Sequence, residues 1–133
     1  MSSNGRLALS EVRARAGAAL APAQESDPDV HLDYPDAIQP PALLVLWADP
    51  WLEPATVQGF LGNASMRVLC LAGRVETGPG IDKVEQLVEF TIGRLRADGY
   101  TWTLSSLEAP QRFDIAQITY LGANVIYRVP VTP

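Results

Sequence analysis

The C-terminal stretch YLGANVIYRVPVT, residues 120–132, alternates along its whole length. Leu121, Ala123, Val125, Tyr127, Val129 and Val131 fall on one face, and Gly122, Asn124, Ile126, Arg128 and Pro130 on the other. A two-residue period is that of a β-strand, and a face this apolar needs something to cover it. Pro130 offers no N–H to a ladder, so the strand is expected to end or lie at an edge there. The cover is legible too. Between a Gly78–Pro79–Gly80 turn and Gly99, residues Val84, Leu87, Val88, Thr91, Ile92 and Leu95 form one helical stripe, with Lys83, Glu85, Gln86, Glu89, Arg94 and Arg96 off it. Asp82 and Glu85 in the first turns and Arg94 and Arg96 in the last suit the helix dipole, and Gly99 suits a C-terminal cap.

The remaining elements fit around this pair. Residues 4–20 read as a helix, with Ser3 or Asn4 as cap, Leu9, Val12, Ala16, Ala19 and Leu20 at spacings of three and four, and Pro22 as its end. In DPDVHLDYPD, residues 27–36, Val30, Leu32 and Tyr34 alternate with Asp29, His31 and Asp33, the pattern of a half-buried strand. ALLVLWA, residues 42–48, is apolar on both faces and reads as a central strand. DPWLEPATVQGFLGN, residues 49–63, has two prolines and two glycines without a steady period, and is expected to be a long loop. ASMRVLCLAGR, residues 64–74, is a third strand, with Met66, Val68, Cys70 and Ala72 on one face. Tyr100, Trp102 and Leu104 alternate with Thr101, Thr103 and Ser105 in a fourth, and RFDIAQIT, residues 112–119, is a short strand or structured connection. Helix, three strands, helix and further strands predict an α+β fold in one domain, residues 1–133. Its sheet is expected to be mostly antiparallel, with the N-terminal and central helices packed on one face. The strict βαβα alternation of a nucleotide-binding domain is missing.

Charge narrows the partners. The chain of 133 residues carries a formal charge of −5, with nine arginines and one lysine. Residues 1–66 hold three arginines against eight acids, residues 67–133 balance seven against seven, and between Arg15 and Arg67 there is no Lys or Arg. A basic surface for gripping phosphates is therefore not expected along that stretch. No apolar run approaches the roughly 20 residues of a membrane helix. The first 20 residues carry Glu11 among their arginines and lack an unbroken apolar segment, so a signal peptide is not expected, and a cytoplasmic setting is. A single cysteine, Cys70, allows no internal disulfide and no multi-cysteine zinc site.

Few residues point to chemistry. The Gly-Pro-Gly turn matches neither GxGxxG nor the Walker A pattern; Pro79 removes an N–H, and Glu76 and Asp82 flank it, so it reads as a turn and not a phosphate loop. Asp27, Asp29, His31 and Asp33 would share one strand face and are the only metal-like set, open to two readings: a solvated acidic face, or the ligands of a small metal-dependent hydrolase. Same-face side chains on a strand stand roughly 6.5–7 Å apart, so convergence on one ion would need a bend. Cys70 sits mid-strand on an apolar face, where cysteine is inert packing, and a dyad with His31 is the reactive alternative. Glu85 and Glu89 are paired carboxylates on a helix, a common surface spacing. The aromatics Trp47, Trp51 and Phe60 bracket the 49–63 segment beside Leu52 and Leu61. They close the core beneath it, or they form a protein interface at Trp51, Leu52, Phe60 and Leu61. No cofactor is expected.

The arrangement has a family resemblance. A capped N-terminal helix, ALLVLW, SMRVLCLAGR, GIDKVEQLVEFTIGRLRADGY, WTLSSLEAP and a terminal YLGANVIYRVPV together resemble the tail terminator (tail completion) proteins of long-tailed bacteriophages, over nearly the whole chain. The resemblance implies a structural virion protein without enzymatic activity, at the head-proximal end of the tail and assembled in the host cytoplasm. It implies a homo-oligomeric ring, hexameric in that family, which caps the tail-tube protein, stops its polymerisation and presents a surface to the head–tail connector or stopper protein. DNA would pass through the channel without specific binding, as a sparsely basic surface allows. Head–tail connector, neck and tail-tube proteins are the neighbouring alternatives, and a monomeric binding module using the Trp47–Phe60 segment is a third reading. No motif position assigns functional residues from the family.

Overall fold

Pairing on both sides of one long strand organises the molecule. The computed structural model describes residues 7–54 and 62–132. Within them the chain runs β1 (Leu7–Ala8), α1 (Leu9–Leu20), β2 (Asp29–His31), β3 (Ala42–Pro54), β4 (Gly62–Arg74), a 3-10 turn (Val75–Thr77), α2 (Ile81–Asp98), β5 (Thr103–Leu107), β6 (Gln111–Ile115) and β7 (Ile118–Thr132). The seven strands form one sheet in the order β1-β7-β4-β3-β2, with β5 and β6 also on β7. The fold is thus mixed α and β, two helices with a mixed sheet. Among the described residues, no helix is long and apolar enough to cross a membrane.

The expectation of a mostly antiparallel sheet is corrected at two short strands. β3, β4, β5, β6 and β7 pair antiparallel, but β1 runs parallel to β7 and β2 parallel to β3. Parallel strands need a crossover. Helix α1 is that crossover: it begins directly after β1 at one side of the sheet and delivers the chain to β2 at the other. Residues 7 and 8 are strand where the sequence pattern extends the helix back to residue 4, and Ser3 and Asn4 lie outside the described residues. The first turn of α1 is closed by Glu11, whose Oε1 accepts from the Ala8 N–H at 2.8 Å.

Of the expected 49–63 loop, residues 49–54 and 62–63 are strand, and 55–61 lie outside the described residues. β3 continues to Pro54 and β4 starts at Gly62, with the register broken between Trp47 and Leu52. Pro50 falls in that break, where no ladder partner asks for its missing N–H. At the same end of the sheet, Pro130 sits opposite Asn63 on β4, while the pairing of β7 with β5 stops at Arg128 and with β1 begins at Val131. This gap lets β7 run through the proline to Thr132. The Tyr100–Ser105 strand begins later than the alternation indicates. Trp102 Nε1 donates to Asp98 Oδ2 at 2.9 Å, Arg15 Nε donates to the same oxygen at 3.1 Å, and the Tyr100 hydroxyl accepts from the Leu7 N–H at 2.9 Å. These bonds hold 98–102 as a corner before β5. Gly99 takes the left-handed conformation, φ 80°, as the helix cap expected there. β6 and β7 turn over Ala116 and Gln117, both at positive φ, a two-residue hairpin without the usual Asn-Gly signal.

The two faces of the sheet are covered differently. On one, Val12, Ala16 and Leu20 of α1 and Val84, Leu87 and Leu95 of α2 pack on Leu43, Val45, Met66, Val68, Val125 and Tyr127. On the other, Ala42, Leu44, Leu46, Leu69, Leu71 and Tyr120 cluster with Ile38, which comes from the connection before β3. Residues 42–46 and 68–72 are apolar on both faces because both faces are buried there. Gly122 permits the close β4–β7 approach, since a Cβ at that position would lie 2.3 Å from the Cys70 carbonyl oxygen.

Candidate functional site

The sequence-predicted surfaces fall at the margins of this sheet. Trp51 lies within the register break of β3 and is 48% exposed. Its ring stacks on Trp47, with centroids 5.8 Å apart and planes at 19°. The Arg13 guanidinium carbon lies 5.9 Å from the Trp47 ring centre. The two tryptophans, Leu9, Ser10 and Arg13 line a shallow depression of about 430 Å³. Leu52 is half-buried and packs against the core beside Ala64, while Phe60 and Leu61 lie outside the described residues.

The acidic set is dispersed. β2 is only Asp29–His31, so the strand expected over 27–36 is short. Asp27 precedes it and accepts from the N–H groups of Ala23 at 2.9 Å and Gln24 at 3.1 Å and from Arg94 Nη2 at 2.9 Å. Its carboxyl is held below its ordinary value, first by the Ala23 N–H; desolvation, next in size, opposes this, and the bonds from Gln24 and Arg94 add to the lowering. Arg94 Nη1 also donates to the Ala21 carbonyl at 2.9 Å, so this pair seals the end of α1 and ties it to α2. Asp29 and His31 pair with Ala42 and Leu44, and so share the face turned away from the helices. Asp33 is fully on the surface, 4.0 Å from Arg13 Nη1. Arg13 also donates to the carbonyls of Leu32 and Val45. Among the described residues, no group of three His, Cys, Asp or Glu side chains gathers closely enough to hold a metal ion.

Cys70 and His31 belong to opposite faces. Cys70 pairs with Leu43 and faces α2, where its sulfur lies 3.5 Å from Thr91 Oγ1; His31 is in register with Leu44 on the other side. Burial pushes the Cys70 thiol up to about 12, which suppresses the thiolate a nucleophile needs. The Gly-Pro-Gly segment is a turn: Gly78 is left-handed at φ 66°, and Gly80 caps α2 in extended conformation.

Two surfaces were not legible as such in the sequence. One is a groove of about 760 Å³ between α2 and the break separating β5 from β6. Val88 and Ile92 belong to it, so the single stripe read on α2 is two: Val84, Leu87, Thr91 and Leu95 are buried, while Val88 and Ile92 are half-buried beside the exposed Ile81. The other is β5 itself, TLSSL, all five residues of which are exposed. Their only signal was the polar Thr–Ser spacing around Leu104 and Leu107, which also describes an ordinary amphipathic strand. Behind β5, Asn124 Nδ2 donates to Glu108 Oε1 at 2.6 Å and fastens the β5–β6 break to β7.

Compared with protein-family models, with curated proteins and with solved structures, the chain matches none.

Proposed function

We propose that this chain is a structural subunit of a homo-oligomeric ring that caps a phage tail tube, stops its polymerisation and forms the surface that meets the head connector. The observation that carries the reading is a sheet with two open rims of different chemistry. On one side, β2 covers β3 only at Ala42–Leu44, and among the described residues β3 has no strand partner on that side beyond it. Trp51 stands exposed along this rim. On the other side β5 is exposed throughout, with Leu104 at 42%. Two unlike rims on one subunit make head-to-tail contacts, and such contacts close into rings when the rotation between copies allows it. Open strand edges also invite pairing between chains. The resemblance of the terminal strand and central helix to tail terminators supports the same reading, with a hexamer as the expected ring, the tail-tube protein and the head–tail connector as partners, and DNA as a passenger. A virion location at the head-proximal end of the tail goes with it, as does a role without cofactor or catalysis.

The test is assembly. Light scattering and negative-stain electron microscopy of the purified chain, alone and with tube protein, should show a closed ring in at least the second sample. A strict monomer in both would reject the proposal.

A further inference from the structure

α2 turns one stripe into the core, and Ile81, Val88 and Ile92, the last two also resting on the edge of that core, look across a groove at Leu107 and Pro110. Ile81 is 58% exposed and Leu107 is 51% exposed. A groove with aliphatic walls on both sides is costly to leave in water. Its charge is one-sided. Glu85, Glu89 and Glu108 line it, and no Lys or Arg does. Glu108 is engaged by Asn124, but Glu85 and Glu89 have no ion-pair partner among the described residues. They stand one helical turn apart, where like charges repel.

We propose that this groove docks an amphipathic helix of a partner protein. Aliphatic side chains of that helix fill the space between α2 and Leu107, and its Lys or Arg side chains pair with Glu85 and Glu89. From Ile81 to Ile92 the groove follows α2 for roughly 16 Å at 1.5 Å per residue, the length of about three helical turns. Anchors at i, i+3 or i+4, i+7 and i+11 span it. A second copy of this chain is the poorer occupant on charge. The protein has one lysine and a net charge of −5, and Arg13, Arg15, Arg94 and Arg128 each already pair with an acid of their own chain. The inference goes beyond the ring and stands without it.

The probe is a fluorescent synthetic helix of about 14 residues, with leucines at the anchor spacing and lysines flanking them, titrated against the full chain by anisotropy. The expected result is saturable binding that weakens with added salt, and no binding of the same peptide with glutamates for lysines. Ile81→Ser together with Leu107→Ser should weaken it by about tenfold or more. Both positions are exposed, so these variants should melt as the parent does, which circular dichroism checks. Glu85→Lys with Glu89→Lys should transfer the preference to the glutamate peptide. Failure of the lysine peptide to bind, equal binding of both peptides, or indifference to the apolar substitutions would overturn the proposal. Self-association of the parent chain in sedimentation that is lost in Ile81→Ser alone, a position on α2 away from both rims, would also overturn it, and would assign the groove to a second copy.

Discussion

Leu69, in the middle of β4, and Trp51, near the far end of β3, are large apolar residues of one sheet, yet the first is sealed and the second half exposed. Leu69 has Leu44 and Asn124 on its flanks and the Ile38 connection in its cluster. Trp51 has one ring to lean on, Trp47, and open space beyond. The centre of the sheet satisfies its apolar surface inside one chain, and the rim leaves surface unsatisfied. That contrast separates residues that hold the fold from residues available to a partner.

The contrast breaks if centre and rim respond alike to substitution. The largest expected effect is at the centre. Leu69→Ala should lower stability by about 2–5 kcal/mol, because it removes methyl groups from a site with little room to collapse. Denaturant unfolding measures it, and a loss near zero would mean that the second face is not a packed core.

Next comes Cys70. Its thiol has a pKa of about 12 in the folded chain against 9.0 as its ordinary value. The folded state therefore holds the proton more tightly, so stability is complete below pH 9 and falls as pH rises from there toward 12. The contribution lost by pH 10 is about 1 kcal/mol. The difference in stability between the parent and Cys70→Ala should narrow by that amount between pH 8 and pH 10. An unchanged difference would place the thiol in contact with water.

The Asp98 corner lies between centre and rim. Trp102→Phe removes the indole bond to Asp98 and should cost about 1 kcal/mol, read by thermal melting. Asp27 gives a smaller, acid-side effect. Its folded carboxyl titrates below its ordinary value of 3.8, so its contribution is present above that value and disappears as pH falls through the lowered one. Acid unfolding should begin at higher pH in Arg94→Ala, because one of the groups that holds the carboxylate ionised is then gone. An unshifted acid transition would mean that the pair does not secure α1.

Long periodic segments made the fold legible where local pattern and tertiary burial agree. The alternation in YLGANVIYRVPVT became β7, and the stripe at Val84, Leu87 and Leu95 became the buried side of α2. Reading failed where tertiary pairing overrode local chemistry. Pro50 and Pro54 look like loop residues, but β4 pairs with β3 on both sides of the break. The parallel pairing of β1 and β2 leaves no local trace, since two or three residues carry no period and direction is imposed by the α1 crossover. At the candidate sites, Asp27 and His31 share a sequence period but not a surroundings. Asp27 is drawn to Arg94, a partner 67 residues away, which no spacing rule reveals. Trp51 was open to two readings in the sequence, core closure or interface, and its 48% exposure is a finding of the structure; the groove was not legible at all, because Val88 and Ile92 match the period of the buried stripe.

The rim should show its effect in assembly and hardly at all in stability. Trp51→Ala removes one stacked ring and should cost under about 1 kcal/mol in the isolated chain. Leu104→Ser, exposed on the opposite rim, should cost less. The most direct measurement of the central claim is therefore the mass of the particle formed with tube protein, by light scattering, for the parent, Trp51→Ala and Leu104→Ser, beside the melting temperature of each chain. The account predicts a ring for the parent and a weakened ring for both variants at nearly unchanged melting temperature. Normal rings from both variants, or weaker rings only in step with lower melting temperatures, would contradict it.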